Sequence, residues 1–106
     1  MEDCIFCKIV KGEIPTDIEK ESERVIVFKD IHPSAPIHFL MVPKQHIKDI
    51  REAEPYLWDD IRKLATEIAA EKKLSGFRLS TNAGDAAMIP HMHIHFLAGI
   101  TSDRAV

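Results

Sequence analysis

The period of apolar and polar positions changes several times along the chain, and each change marks an element. Arg24-Val25-Ile26-Val27-Phe28 is β-branched and aromatic, which predicts a strand. His38-Phe39-Leu40-Met41-Val42 predicts a second strand, closed by Pro43, and the stretch from Asp30 to Pro36 between them holds two prolines and reads as turns. Leu57, Ile61, Leu64 and Ile68 then recur four, three and four apart, the spacing of one helical face. That helix is expected from about residue 55 to 73: Pro55 suits its first position, Asp59, Asp60, Lys72 and Lys73 suit its dipole, and Gly76 ends it. Residues 77–81 and 91–97 predict a third and a fourth strand, and a further short one is expected between Thr16 and Lys20. At the start, residues 4 to about 11 read as a short helix, with Gly12 at its C-terminus and Pro15 blocking continuation. The expected class is α+β, a mainly antiparallel sheet with one long helix packed on it.

Composition narrows this picture. The 106 residues are expected to form a single domain over 1–106, large enough for one core. A net charge of −3 argues against a protein that grips a nucleic-acid backbone. No apolar run approaches the length of a membrane span, so no membrane partner is expected. The acidic opening Met1-Glu2-Asp3 does not read as a signal peptide, which leads to a cytoplasmic protein and makes a structural disulfide unexpected.

The chemistry concentrates in His91-Met92-His93-Ile94-His95-Phe96-Leu97. Strand side chains alternate faces, so His91, His93 and His95 share one face while Met92, Ile94 and Phe96 share the other. Neutral imidazole is both a nucleophile and a metal ligand. The plainer reading is a half-polar exposed strand or a tag, but a tag is contiguous and terminal and this run is neither. A second candidate is Cys4-Ile5-Phe6-Cys7, whose cysteines lie three apart on one helical face. Without a second such pair, a zinc site would need histidines as its other two ligands. A redox pair and two inert buried thiols are the other readings, though a thioredoxin-like pair should follow a strand, and none precedes this one.

With both ends in view, the chain resembles the histidine-triad (HIT) family, in its branch of small nucleotide-binding hydrolases. The matching segments run from Cys4 to Pro15, from Val27 to Pro33, and from Ala35 through Pro43-Lys44-Gln45-His46 to Ile47; Asn82, Gly84 and the triad close the match. The resemblance implies a five-stranded, mainly antiparallel sheet with two helices, usually in a homodimer whose long helix and following strand meet their copies. Met41, Leu57 and Trp58 are core or interface candidates. It further implies that His93 attacks the α-phosphorus of a nucleoside phosphoramidate or related compound, forming a nucleotidyl-histidine that water hydrolyses. His95 is then the donor to the phosphoryl oxygens. Cys4, Cys7, His46 and His91 are implied as ligands of a structural zinc ion; His46 off the metal and near the leaving group is the alternative. Asp30 is implied at the ribose hydroxyls of an adenosine- or guanosine-type nucleotide, Phe6, Ile9, Phe28 and Ile31 along the base, and Asn82 beside the phosphate or sugar. His32 and His38 have weaker claims, His38 as a strand residue facing other polar groups.

One segment departs from the family pattern. Asn82-Ala83-Gly84-Asp85-Ala86-Ala87-Met88-Ile89-Pro90-His91 is about two residues shorter than usual and lacks the Gly and Gln before the triad. Met88 cannot replace glutamine as a donor, and an inward Asp85 would repel a phosphate. This leaves open a nucleotide-binding module with little turnover. A nucleotidylyl transferase is disfavoured, because transferase relatives carry glutamine where this chain has His95.

Overall fold

In the computed structural model, residues 4–102 are described. Five strands, β1 (Ile18–Glu21), β2 (Val25–Lys29), β3 (Ile37–Pro43), β4 (Arg78–Thr81) and β5 (Ile94–Ala98), form one sheet in the order β1-β2-β3-β5-β4. Every neighbouring pair is antiparallel. The fold is α+β with two α-helices, α1 (Ile5–Val10) and α2 (Pro55–Glu71), as the sequence predicted.

Both faces of the sheet are covered, which is why β2 and β3 read as continuous apolar runs. Val25, Val27, Phe39, Met41, Met92, Ile94, Phe96 and Ala98 face α2 and pack against Leu57, Ile61, Leu64, Ala65 and Ile68. Ile26, Phe28, Leu40 and Val42 face the other way, against Phe6 and Ile9 of α1. Met41 and Leu57 are therefore core, whereas Trp58 is exposed.

Three boundaries differ from expectation. The short first strand is Ile18–Glu21, one residue beyond the range expected for it. The long helix ends at Glu71, well before Gly76. Lys73 itself takes the left-handed turn at φ 55°, and the Leu74 amide donates back to the Ala69 carbonyl at 2.9 Å, closing the helix without glycine. Finally, β5 begins at Ile94, not at His91. The Met92 amide donates to the Ile47 carbonyl at 2.8 Å, so the segment ahead of β5 is tied to the loop after β3. The alternation of faces survives this change, since Met92 still joins the α2 side of the core.

Candidate active site and metal centre

Eight side chains gather on the α1 side of the sheet in two groups. The first contains Cys4, Cys7, His46 and His91, whose sulfur and nitrogen atoms all lie within 4.8 Å of one another. Cys4 caps α1, its Sγ accepting from the Cys7 amide at 3.3 Å, so the turn of the helix presents both sulfurs together. His91 is fully buried. Its Nε2 lies 2.8 Å from the Pro43 carbonyl, an acceptor, so Nε2 carries the proton and Nδ1 the lone pair. That Nδ1 is 3.2 Å from Cys4 Sγ and 3.6 Å from Cys7 Sγ, and His46 Nδ1 is 3.2 Å from Cys7 Sγ. Two thiols and two imidazoles converging with one ring already oriented from behind are the donor set of a closed four-ligand site. Burial pushes the Cys7 thiol up, and the neighbouring Cys4 adds to it; burial also pulls His91 down and keeps it neutral. These residues can hold a metal ion.

The second group is Asp30, His38, His93 and His95. His93 is buried, and its Nδ1 donates to the His91 carbonyl at 2.9 Å. Its Nε2 is therefore the nitrogen with the free lone pair. The His93 carbonyl accepts from the Thr81 hydroxyl at 2.8 Å, which fixes the backbone beneath it. The His95 ring lies beside it, centroids 5.2 Å apart.

His38 sets the protonation of His95. The Ser34 amide donates to His38 Nδ1 at 2.9 Å, and an amide N–H can only donate. The proton of neutral His38 must therefore sit on Nε2, which lies 2.9 Å from His95 Nδ1 and 3.3 Å from Asp30 Oδ2. His95 Nδ1 accepts, so its own proton sits on Nε2. Burial lowers both rings, opposed at each by the Asp30 carboxylate; the neighbouring His93 and His38 lower His95 further. Asp30, His38 and His95 are also close enough to share a cation. The Ser34 amide argues otherwise, because it takes from His38 the lone pair such an ion would need. The geometry is that of a hydrogen-bond chain. Sequence patterning undervalued His38; its period-2 place on β3, opposite the triad strand, was the available signal, and the Ser34 contact was not legible.

The remaining candidates scatter. Asp30 Oδ1 accepts from the His32 amide at 2.8 Å, so this carboxylate also shapes its own turn. Phe6, Ile9 and Phe28 are buried together in the second core cluster, whereas Ile31 is 82% exposed. Asn82 is exposed, as are Asp85 and Met88 in the shortened loop. That loop has an anchor which sequence reading missed. Asp49 is buried, accepts from the Gly84 amide at 3.1 Å, and takes two guanidinium bonds from Arg51 at 2.9 and 2.7 Å. Those Arg51 bonds hold its carboxyl well below the usual carboxylate range.

Comparison with known proteins identifies the family. The family model described as "Scavenger mRNA decapping enzyme C-term binding" matches residues 3–104. Protein HitA of Neisseria gonorrhoeae is 34% identical over 103 residues, covering 92% of this chain and 96% of its own. The chain belongs to the HIT family. An uncharacterized HIT-like protein of Synechococcus elongatus is 39% identical over 104 residues, with 92% of this chain and 91% of that one covered. Among solved structures, a HIT family hydrolase from Clostridium thermocellum superposes with a TM-score of 0.91 at 40% identity, covering 100% of this chain and 98% of its own. A histidine triad protein from Clostridium difficile superposes at 0.90 with 36% identity, covering 100% and 98%. HIT membership agrees with the resemblance carried by the Cys-x-x-Cys, Pro-Lys-Gln-His and triad segments.

Proposed function

We propose that this chain is a nucleotide hydrolase that cleaves at the α-phosphate of nucleoside phosphoramidates or related nucleotidyl compounds. The observation that carries the reading is the His93 Nδ1–H bond to the His91 carbonyl, which leaves Nε2 bare for attack. In the first step His93 Nε2 bonds to the α-phosphorus, and the bond from phosphorus to the amine breaks, the amine departing with a proton taken from solvent, which the attacking water of the second step returns. In the second, water attacks the same phosphorus, breaks the phosphorus–nitrogen bond and releases the nucleoside monophosphate. Splitting one displacement into two is the gain of nucleophilic catalysis. His95 donates from Nε2 to the phosphoryl oxygens as they gather charge. His38 and Asp30 stand behind it and keep that donor protonated.

Substrate contacts follow the same reading. Asp30 takes the ribose hydroxyls, its carboxylate being an acceptor suited to a diol. Ile9, Phe28 and Ile31 bound the base, with Phe6 at the inner end, and Asn82 stands by the phosphate or sugar. Adenosine or guanosine is the expected nucleoside. A zinc ion held by Cys4, Cys7, His46 and His91 fits the donors; when bound it supplies structural cross-linking of α1 to the sheet, with no ligand position left for water. His46 then serves the metal and not the leaving group. A homodimer is proposed too, formed through α2 and the edge strand β4, where Trp58, Phe77 and Leu79 are exposed. Among the described residues no helix is long and apolar enough to cross a membrane, in keeping with a proposed cytoplasmic location.

A second reading, a nucleotide-binding module with little turnover, is favoured by one feature. The segment ahead of the triad lacks the family's glutamine donor, and Met88 within it is 94% exposed and carries no donor. Steady-state hydrolysis of an adenosine phosphoramidate separates the two, with acid-quenched protein weighed for a nucleotidyl adduct. The hydrolase reading expects turnover and an adduct, both lost in His93→Ala. Binding without turnover in the wild type supports the module, and equal turnover in the variant rejects His93 as nucleophile.

A further inference from the structure

The helix that carries the two cysteines also touches the nucleophile. Phe6 lies between Cys4 and Cys7 in sequence and is 4% exposed. Its ring meets His93 at a centroid distance of 5.1 Å and 60°, and meets His91 edge-on at 5.8 Å and 90°. Phe28 backs it at 5.9 Å. The His93 ring is thus flanked by Phe6 and by His95, while its Nδ1 is tied to the His91 carbonyl. A single hydrogen bond fixes one atom of an imidazole and not the plane of the ring. A ring swung part-way about its Cβ–Cγ bond would stretch the bond to the His91 carbonyl, release the hold on the Nδ1 proton and carry the Nε2 lone pair off line. An aromatic ring packed against the imidazole resists that swing, because it fixes the plane of its neighbour.

We infer that Phe6 is a positioning residue for His93: its ring holds the imidazole with Nδ1 on the His91 carbonyl and Nε2 bare, so the helix bearing Cys4 and Cys7 also sets the nucleophile. This rests on the reading of His93 as nucleophile and goes beyond a place at the end of the base slot. A slot residue acts on the base and governs binding. A residue packed on the attacking ring acts through that ring and governs the chemical step.

The test uses the full metal-loaded chain with Phe6→Leu and Phe6→Tyr. Long-range proton–nitrogen correlation of the histidine rings, without substrate, is the readout independent of turnover. Wild type and Phe6→Tyr are expected to show His93 as the single Nδ1–H tautomer, and Phe6→Leu a mixture with the Nε2–H form. With an adenosine phosphoramidate, kcat of Phe6→Leu is expected to fall about tenfold while KM stays within about threefold, and Phe6→Tyr to restore it. Metal content and thermal midpoint confirm that each variant is folded; should the leucine variant lose metal, Phe6→Met takes its place. An unchanged His93 tautomer in the ring-less variant overturns the inference. So does a raised KM with kcat intact, the mark of a slot residue. Failure of the nucleophile reading looks different: His93→Ala keeps its turnover while the wild-type tautomer still responds to Phe6.

Discussion

The two histidine groups share one face of one sheet, yet the backbone wires them in opposite senses. At His91 a carbonyl, that of Pro43, sits behind the ring and claims the proton of Nε2, so Nδ1 offers a lone pair to the cysteine side. At His38 an amide, that of Ser34, sits behind the ring and claims the lone pair of Nδ1, so Nε2 offers a proton to His95. The first arrangement suits a ligand and the second a proton carrier. An imidazole's role is decided here by whether the main-chain atom at its far nitrogen accepts or donates. His93, of the second group, is joined to the first through its Nδ1 on the carbonyl of His91.

Substitutions separate the two regions. His93→Ala should lower kcat by about 10³-fold or more while leaving metal content intact, measured by steady-state hydrolysis and elemental analysis. Loss of metal in the same variant would mean the groups are not independent. His95→Ala removes the donor to the phosphoryl oxygens and should cost about 10²–10³-fold in kcat, again with metal retained. On the other side, Cys7→Ser should abolish stoichiometric metal binding and lower the thermal midpoint by about 10 °C, the equivalent of about 2 kcal/mol for a chain of this size. A variant that keeps both its metal and its midpoint would refute the four-ligand site. His38→Gln acts only through His95 and should lower kcat by about tenfold, with KM little changed.

The smallest effect is a pH dependence of stability in the proton-carrying group. Burial places His38 and His95 below the ordinary imidazole value of 6.5. As pH falls through 6.5, the unfolded chain takes up protons that the folded rings refuse. Stability is therefore unaffected by these groups above that value and declines below it, until the folded rings also protonate. Thermal midpoints of wild type and His38→Gln between about pH 7 and 5 check the sign, since the variant should lose less on acidification.

Much of this was legible in the chain. The four-three-four spacing from Leu57 to Ile68 placed α2, and the runs at residues 24–28 and 38–42 placed β2 and β3, because buried faces leave periodic apolar marks. The alternation of His91, His93 and His95 put three rings on one face even though the ladder starts only at Ile94. What escaped depends on single contacts between distant segments. Lys73 could close α2 because Leu74 finds the core, a tertiary fact with no local signal. Asp49 reads as a surface aspartate until Gly84 arrives from 35 residues away. His38 reads as a polar strand residue until the Ser34 amide assigns its proton. Sequence names the imidazoles; only the folded backbone says which nitrogen of each is free.

The opposed wiring is tested most directly by resolving the ring nitrogens of all six histidines by proton–nitrogen correlation in the zinc-loaded protein. The expected spectrum has protons on Nε2 of His91, His38 and His95 and on Nδ1 of His93, with one ion per chain perturbing only His46 and His91 directly. An ion bound at His38 or His95, or His95 protonated at Nδ1, would contradict the division of the face into a metal half and a proton half.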